Sequence, residues 1–216
     1  MTDVWSQRAD AFRESPTHRE GPDLDLLVEW CEPGAEVKVL DVATGGGHVA
    51  RRLREEGCTV VTVDPAPGMK ADVVAPAEHL PFEDGSFDVV TCRIAAHHFP
   101  DIGAAVTEMA RVSARLLVVE DNVFSGEAAE EAERLRDPTH VRRYSEDEWK
   151  EMVEKAGFEV EQVEHFPRRQ SFDAWLQRVE TPPGAAARIR ELLADDIEDG
   201  QIRLDSIVFK ARRSQK

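Results

Sequence analysis

The sequence predicts a doubly wound α/β fold with a Rossmann-like, mostly parallel sheet, and three observations lead there. Short apolar runs alternate with amphipathic stretches along the first half of the chain, the pattern of parallel strands joined by crossover helices. The stretch Val37-Lys38-Val39-Leu40-Asp41-Val42-Ala43-Thr44-Gly45-Gly46-Gly47-His48 reads as a buried strand that ends on a carboxylate, enters a glycine turn and opens a helix. Glycine admits close backbone approach to a ligand, and the helix start beyond it presents unpaired N–H groups, so this order points to a nucleoside cofactor. The length, 216 residues, suffices for one α/β domain with a sizeable core.

Helices are predicted over residues 4–12 and 22–31, punctuated by Pro16, Gly21 and Pro22. Residues 37–42 are apolar enough for a central parallel strand. A helix over 49–56 is stopped by Gly57, and a second strand over 58–63 runs to Asp64. Pro65, Pro67 and Gly68 leave no room for a full crossover helix before a short edge strand at 72–75. A one-turn connection and an irregular third strand are therefore expected. Residues 87–93 form a strand, 102–112 a helix, and 116–120 another buried strand after the short turn Ser113-Ala114-Arg115. A charged helix spans 126–136. Ser145 and Glu148 make a capping-box pair that opens the next helix, which Gly157 ends. Residues 158–166 alternate like a strand, 171–179 and 185–195 are helical, and 206–211 form a last strand. No repeat or linker interrupts the chain, which reads as a single domain over 1–216.

The chain carries 43 acidic and 27 basic residues, a net charge of −16. Such a surface repels phosphate backbones and argues against a nucleic-acid partner. No apolar run approaches the roughly 18 residues of a membrane span. Met1-Thr2-Asp3-Val4-Trp5-Ser6 shows neither the basic nor the apolar region of an export signal. Cys31, Cys58 and Cys92 lack metal-binding spacing, and the histidines are scattered, so no metal is expected. These features point to a reducing cytoplasm.

Four ordered segments carry a resemblance. They are Val39-Leu40-Asp41-Val42-Ala43-Thr44-Gly45-Gly46-Gly47-His48, Val61-Thr62-Val63-Asp64-Pro65, Ala77-Glu78-His79-Leu80-Pro81-Phe82-Glu83-Asp84-Gly85-Ser86-Phe87-Asp88, and Arg93-Ile94-Ala95-Ala96-His97-His98-Phe99. Together the chain resembles a class I S-adenosylmethionine-dependent methyltransferase of the small-molecule branch around the ubiquinone/menaquinone (UbiE-like, methyltransferase-domain 11) C-methyltransferases. Asp137-Pro138-Thr139-His140-Val141-Arg142 and Ser15-Pro16-Thr17-His18 are similar to its YcgJ-like subgroup.

The resemblance implies an antiparallel C-terminal strand and methyl transfer to a small-molecule acceptor, with S-adenosylhomocysteine as product. It implies a helical lid over 1–33, a cofactor-binding core over 34–122 and an acceptor side over 123–216. It leaves room for a homodimer. The turn Ala43, Thr44, Gly45 and Gly47 would pass under the methionine moiety, and Asp41 would lie near its ammonium or an ordered water. Asp64 would accept bonds from the ribose hydroxyls, Pro65 and Met69 would flank adenine, and Ala77 and Glu78 would meet its edge. Arg93 and Ala95 would stand beside the sulfonium, although Arg93 equally suits an ion pair at the sheet edge. Two departures stand out. Ala43 replaces the first glycine of the turn, tolerable if its backbone is not left-handed, and Pro76 replaces the aspartate that relatives offer the adenine amine.

Transfer to a neutral nucleophile calls for a base near the strand ends. His98, His97 and His18 are the candidates, although a His-His pair before Phe99-Pro100 more often caps a helix or packs a turn. His140, Arg143 and Tyr144 are candidates for a substrate wall, and Trp149, Phe166, Phe172 and Trp175 for the acceptor pocket or the core. Two other functions share the motif: an NAD(P)-dependent oxidoreductase, and a non-catalytic module that only binds S-adenosylmethionine.

Overall fold

The computed structural model describes residues 4–214; residues 1–3 and 215–216 of the predicted 1–216 unit lie outside the described residues. Its helices are α1 (Val4–Glu14), α2 (Pro16–Arg19), α3 (Pro22–Trp30), α4 (His48–Glu55), α5 (Ile102–Val112), α6 (Glu127–Arg136), α7 (Glu146–Lys155), α8 (Phe172–Gln177) and α9 (Ala186–Leu192). Strands β1 (Lys38–Val42), β2 (Thr59–Asp64), β3 (Val73–Val74), β4 (Phe87–Arg93) and β5 (Ser113–Asn122) pair in parallel. With β6 (Phe158–Ser171), β7 (Ile197–Glu198) and β8 (Gln201–Arg213) they form one sheet, ordered β3-β2-β1-β4-β5-β8-β6, with β7 beside β8. β8 is antiparallel to all three of its partners, as the resemblance implied.

The period-two alternation of side chains gives the sheet two apolar faces. Val39, Val89, Val118 and Val208 pack with Leu24 and Leu27 of α3 and Leu53 of α4. Their neighbours Leu40, Val90, Leu117 and Phe209 pack with Val106 and Met109 of α5 and Trp149 of α7. A third apolar cluster lies apart, where Ala132 of α6, Phe172 of α8, Ile189 of α9 and Ile202 of β8 meet. Strand order reverses between β1 and β4, and in an open α/β sheet such a switch point opens a crevice at the carboxyl ends of the strands.

The connection after β2 is a single 3₁₀ turn, Pro67–Met69, leading into the two-residue β3. That matches the compressed crossover expected from Pro65, Pro67 and Gly68. The last strands depart from expectation. β6 runs on to Ser171 rather than ending at 166, and β8 starts at Gln201 rather than 206. Residues 167–171 pair with 201–205 through the backbone. Arg168, Arg169, Gln170, Arg203 and Asp205 conceal this ladder from a hydrophobicity reading. The helix expected over 185–195 is α9 followed by a 3₁₀ turn, Ala194–Asp196. β7 and β8 are then joined by Asp199-Gly200, at φ 50° and 70°. Asp-Gly is the two-residue hairpin signature, so the sequence did carry this signal.

Candidate functional site

The site starts from the turn after β1. Ala43, Gly45 and Gly47 have φ of 53°, 52° and 75°. The condition for a tolerable Ala43 therefore fails: its backbone is left-handed, at a cost of about 1–2 kcal/mol for a residue with a Cβ. Neighbouring bonds hold it there. The Thr44 N–H donates to the Val63 carbonyl at 3.2 Å, and the Gly45 N–H donates to Asp64 Oδ2 at 3.0 Å. The Thr44 hydroxyl donates to Asp41 Oδ2 at 2.6 Å. Gly46 is a close-approach position, since a Cβ there would sit 2.9 Å from the Phe12 carbonyl oxygen of α1.

Asp64 closes β2 with its carboxylate against the turn, and its Oδ1 accepts the Ala66 N–H at 2.9 Å. Asp41 is buried beneath the turn. Burial pushes its carboxyl up to about 6, against the opposing hydrogen bonds from Thr44 and the Ala50 amide.

A cavity of about 340 Å³ opens above these residues, within the range of small-molecule sites. Asp41, Ala43, Thr44, Gly45, Asp64, Pro65, Met69, Ala77, Glu78, Arg93 and Ala95 all line it. Of the expected cofactor residues, Gly47 stands off the wall. Trp5 and Phe12 of α1 roof it, and His48, Ile94 and Phe99 join the lining. α1 is tied down over the cavity. The Gly68 N–H donates to Ser6 Oγ at 2.7 Å, and His48 Nε2 donates to the Phe12 carbonyl at 3.0 Å.

Arg93 lines the cavity with its guanidinium already engaged. Its Nε donates to Glu120 at 2.6 Å, Nη1 donates to the His18 carbonyl at 2.9 Å, and Nη2 pairs with Asp23. It is a strut between β4, α2, α3 and β5, the ion-pair role that its sequence position also allowed.

A second cavity, again about 340 Å³, adjoins the first. Phe12, His18, Ile94 and His98 line both. Ile94 has φ 52°, a conformation that costs a β-branched residue about 1–3 kcal/mol and persists only where the surroundings impose it. Its N–H donates to the Glu120 carbonyl at 2.7 Å. The strained residue sits where the two cavities meet.

His98 Nδ1 lies 3.0 Å from the Thr139 carbonyl oxygen. A carbonyl only accepts, so Nδ1 carries the proton and Nε2 the lone pair. Burial, and then the neighbouring His97, hold this imidazole well below its ordinary pKa and keep it neutral. Burial, and then Arg178, Arg93 and Arg168, do the same for His18, whose Nδ1 lies 2.7 Å from Ser15 Oγ. His97 is anchored differently. Its Nδ1 and backbone N–H both bond Asp121, at 2.5 and 2.7 Å, and this holds the turn (Ala96–His98) in place.

The expected substrate wall needs correction. His140, Arg143 and Tyr144 line neither of the two large cavities. Glu130 of α6 takes His140 Nε2 at 3.0 Å and Arg143 Nε at 2.6 Å into a buried cluster. Tyr144 is buried with Trp149 in the core. Trp149 and Phe172 are likewise core residues, whereas Phe166 and Trp175 do line the second cavity. The pocket arginines Arg168 and Arg178 were missed: Arg168 lies on the part of β6 that polar sequence concealed, and Arg178 ends a helix that was expected but whose cavity-facing side the sequence does not mark. Among the described residues, no cluster of His, Cys, Asp and Glu could hold a metal ion, and no helix is long and apolar enough to cross a membrane.

Known proteins share this architecture. The methyltransferase-domain family matches residues 8–163. The uncharacterized methyltransferase YcgJ of Bacillus subtilis is 35% identical over 202 residues, covering 82% of this chain and 79% of YcgJ. The crystal structure of YcgJ superposes with a TM-score of 0.80 at 27% identity, over 90% of this chain and 99% of that one. A demethylmenaquinone methyltransferase of Thermus thermophilus is 38% identical over 116 residues, 45% of this chain and 51% of its own length. These likenesses favour methyl transfer over the dinucleotide chemistry that the glycine turn also allows. The chain therefore belongs to the methyltransferase-domain family and is a class I S-adenosylmethionine-dependent methyltransferase.

Proposed function

We propose that the first cavity holds S-adenosylmethionine, that the second holds a small-molecule acceptor, and that His98 takes the acceptor's proton. The observation that carries this reading is the junction: two adjoining cavities share a neutral imidazole whose Nε2 has no hydrogen-bond partner among the described residues.

The residues present suit the cofactor. The left-handed turn, tight against Phe12 at Gly46, offers backbone rather than side chain to the methionine moiety. Asp41 suits the ammonium, and Asp64 suits the ribose hydroxyls by charge-assisted bonds. Pro65 and Met69 would flank the adenine, and Ala77 and Glu78 would meet its edge through backbone, since Pro76 offers no carboxylate. The bound cofactor supplies an electrophilic methyl on a sulfonium. His98 Nε2 would accept the proton that the nucleophile gives up on taking this methyl. Phe12 and Trp5 exclude water, which preserves the alignment that in-line transfer requires.

In the same reading, 1–33 is the lid, 34–122 the cofactor core and 123–216 the acceptor side of one domain. The free, buried Cys31, Cys58 and Cys92 support a reducing, cytoplasmic setting. The test is calorimetric and kinetic. S-adenosylhomocysteine is expected to bind and NADH is not; failure of S-adenosylhomocysteine to bind would overturn the reading. With an acceptor found by screening small nucleophiles, His98→Ala lowers turnover by about 10²–10⁴-fold while cofactor affinity stays within about twofold. Parallel losses of turnover and affinity would make His98 structural.

A further inference from the structure

We propose that the methyl acceptor is an anion, an apolar molecule carrying a carboxylate or an equivalent group, received in the second cavity by Arg178 with Gln170. This rests on the reading of that cavity as the acceptor site.

The cavity wall combines apolar surface from Phe166, Trp175, Val179 and Leu204 with an unusual density of arginines. The buried carboxylates on the wall and behind it are already taken. Asp23 and Glu120 are held by Arg93 and Arg168, Glu133 by Arg136, and Asp137 by Arg8. Arg169 turns away to Glu198 at 2.7 Å, and Glu20 lies exposed at the rim. Arg178 remains. Its Nη2 donates to Gln170 Oε1 at 2.7 Å, and it pairs with no carboxylate among the described residues. Counted with the partners Arg8, Arg93 and Glu120 that lie behind the wall, five arginines, Arg8, Arg93, Arg136, Arg168 and Arg178, meet four carboxylates, Asp23, Glu120, Glu133 and Asp137.

A half-buried guanidinium without a counter-charge is costly. The strain shows in its acidity: burial, then Arg136 and Arg168, pull Arg178 down to about 10. The same field reaches His18, where Arg178, Arg93 and Arg168 all add to burial in disfavouring protonation. An incoming anion relieves this imbalance, and a guanidinium receives a planar carboxylate through two parallel N–H bonds. Trp175 and Phe166 then face the apolar body of the ligand, and the wall shared with His98 receives its nucleophile.

The test uses the full chain saturated with S-adenosylhomocysteine and two isosteric probes, benzoate and benzamide, titrated by NMR. Benzoate is expected to bind at least tenfold more tightly than benzamide. Arg178→Gln is expected to weaken benzoate at least tenfold, and Arg178→Lys to retain it within about threefold. Unchanged S-adenosylhomocysteine affinity in both variants reports that they are folded. Equal binding of the two probes, no benzoate binding, or wild-type benzoate binding by Arg178→Gln overturns the proposal. Absence of S-adenosylhomocysteine binding would instead overturn the methyltransferase reading on which it stands.

Discussion

The two cavities that meet at His98 differ in how the chain builds them. The first takes most of its wall from the ends of β1, β2 and β4 and the turns that follow, between Asp41 and Pro100, with a roof from α1. Apart from Arg93, its carboxylates are held by groups close by in the β1 and β2 turns: Asp64 by the Gly45 and Ala66 amides, Asp41 by the Thr44 hydroxyl and the Ala50 amide. The second draws on 12–23, 94–98, 122–137 and 166–179 together with Leu204. Its polar groups are held by other side chains, as in the pairs Arg93–Asp23, Arg136–Glu133 and Arg8–Asp137. The first cavity therefore rests largely on local chain geometry, and the second on contacts between side chains distant in sequence.

Four expected outcomes sharpen or break that contrast. The largest concerns Glu130, which ties α6 to His140 and Arg143 behind the second cavity. Burial opposes its ionisation, but hydrogen bonds from His140 and Arg143 outweigh burial and hold it at about 2. Glu130→Gln should cost about 3–5 kcal/mol of stability, because it strands a buried cation, while S-adenosylhomocysteine affinity measured below the melting range stays unchanged. The sign of the pH effect follows from the depressed value. The wild-type contribution is complete above the unfolded carboxylate value of about 4.3 and is lost as pH falls through about 2. Equal loss of cofactor affinity would show that the two halves are not separable.

Next comes Asp64→Ala. It removes the acceptor of two backbone N–H groups and the proposed ribose ligand, so cofactor affinity should fall by about 1.5–3 kcal/mol. Calorimetry showing wild-type affinity would remove Asp64 from the site. A smaller effect belongs to Asp41. Its carboxyl sits at about 6, and a cationic ammonium favours its ionised form. Cofactor affinity should therefore hold above pH 6 and decline as pH falls below it, by up to about tenfold per unit. A flat profile between pH 5 and 8 would separate Asp41 from the ammonium. The smallest effect is Ala43→Gly. Relief of the left-handed strain, about 1–2 kcal/mol, exceeds the unfolded-state entropy that glycine adds, about 0.4–1 kcal/mol. Denaturant midpoints should rise slightly, and a fall would mean that the Ala43 methyl packs favourably.

The legibility of the sequence follows the same division. The β1 motif, Asp64, the compressed crossover through Pro65 and Pro67, and the His97-His98 turn were all readable. Each depends on neighbours within a few residues: an apolar run, a glycine turn, a proline that forbids helix. His140, Arg143 and Tyr144 were misplaced for a related reason. They follow β5 in sequence and so look like a loop at the mouth of the site. Glu130, on the preceding helix, draws two of them into the interior, and Trp149 packs the third. Likewise 167–171 reads as a polar loop until its backbone finds 201–205.

By itself, then, the order of residues determined the parallel strands, the crossover and the glycine-turn cleft, because strands, turns and helix starts are governed by local periodicity and backbone freedom. Tertiary structure alone decided which ions pair across the molecule and which arginine is left over. Ion pairing depends on distances in space between groups such as Arg8 and Asp137, which share no local pattern. The left-handed backbone of Ala43 and Ile94 was likewise imposed by packing and hydrogen bonds against the intrinsic preference of both residues.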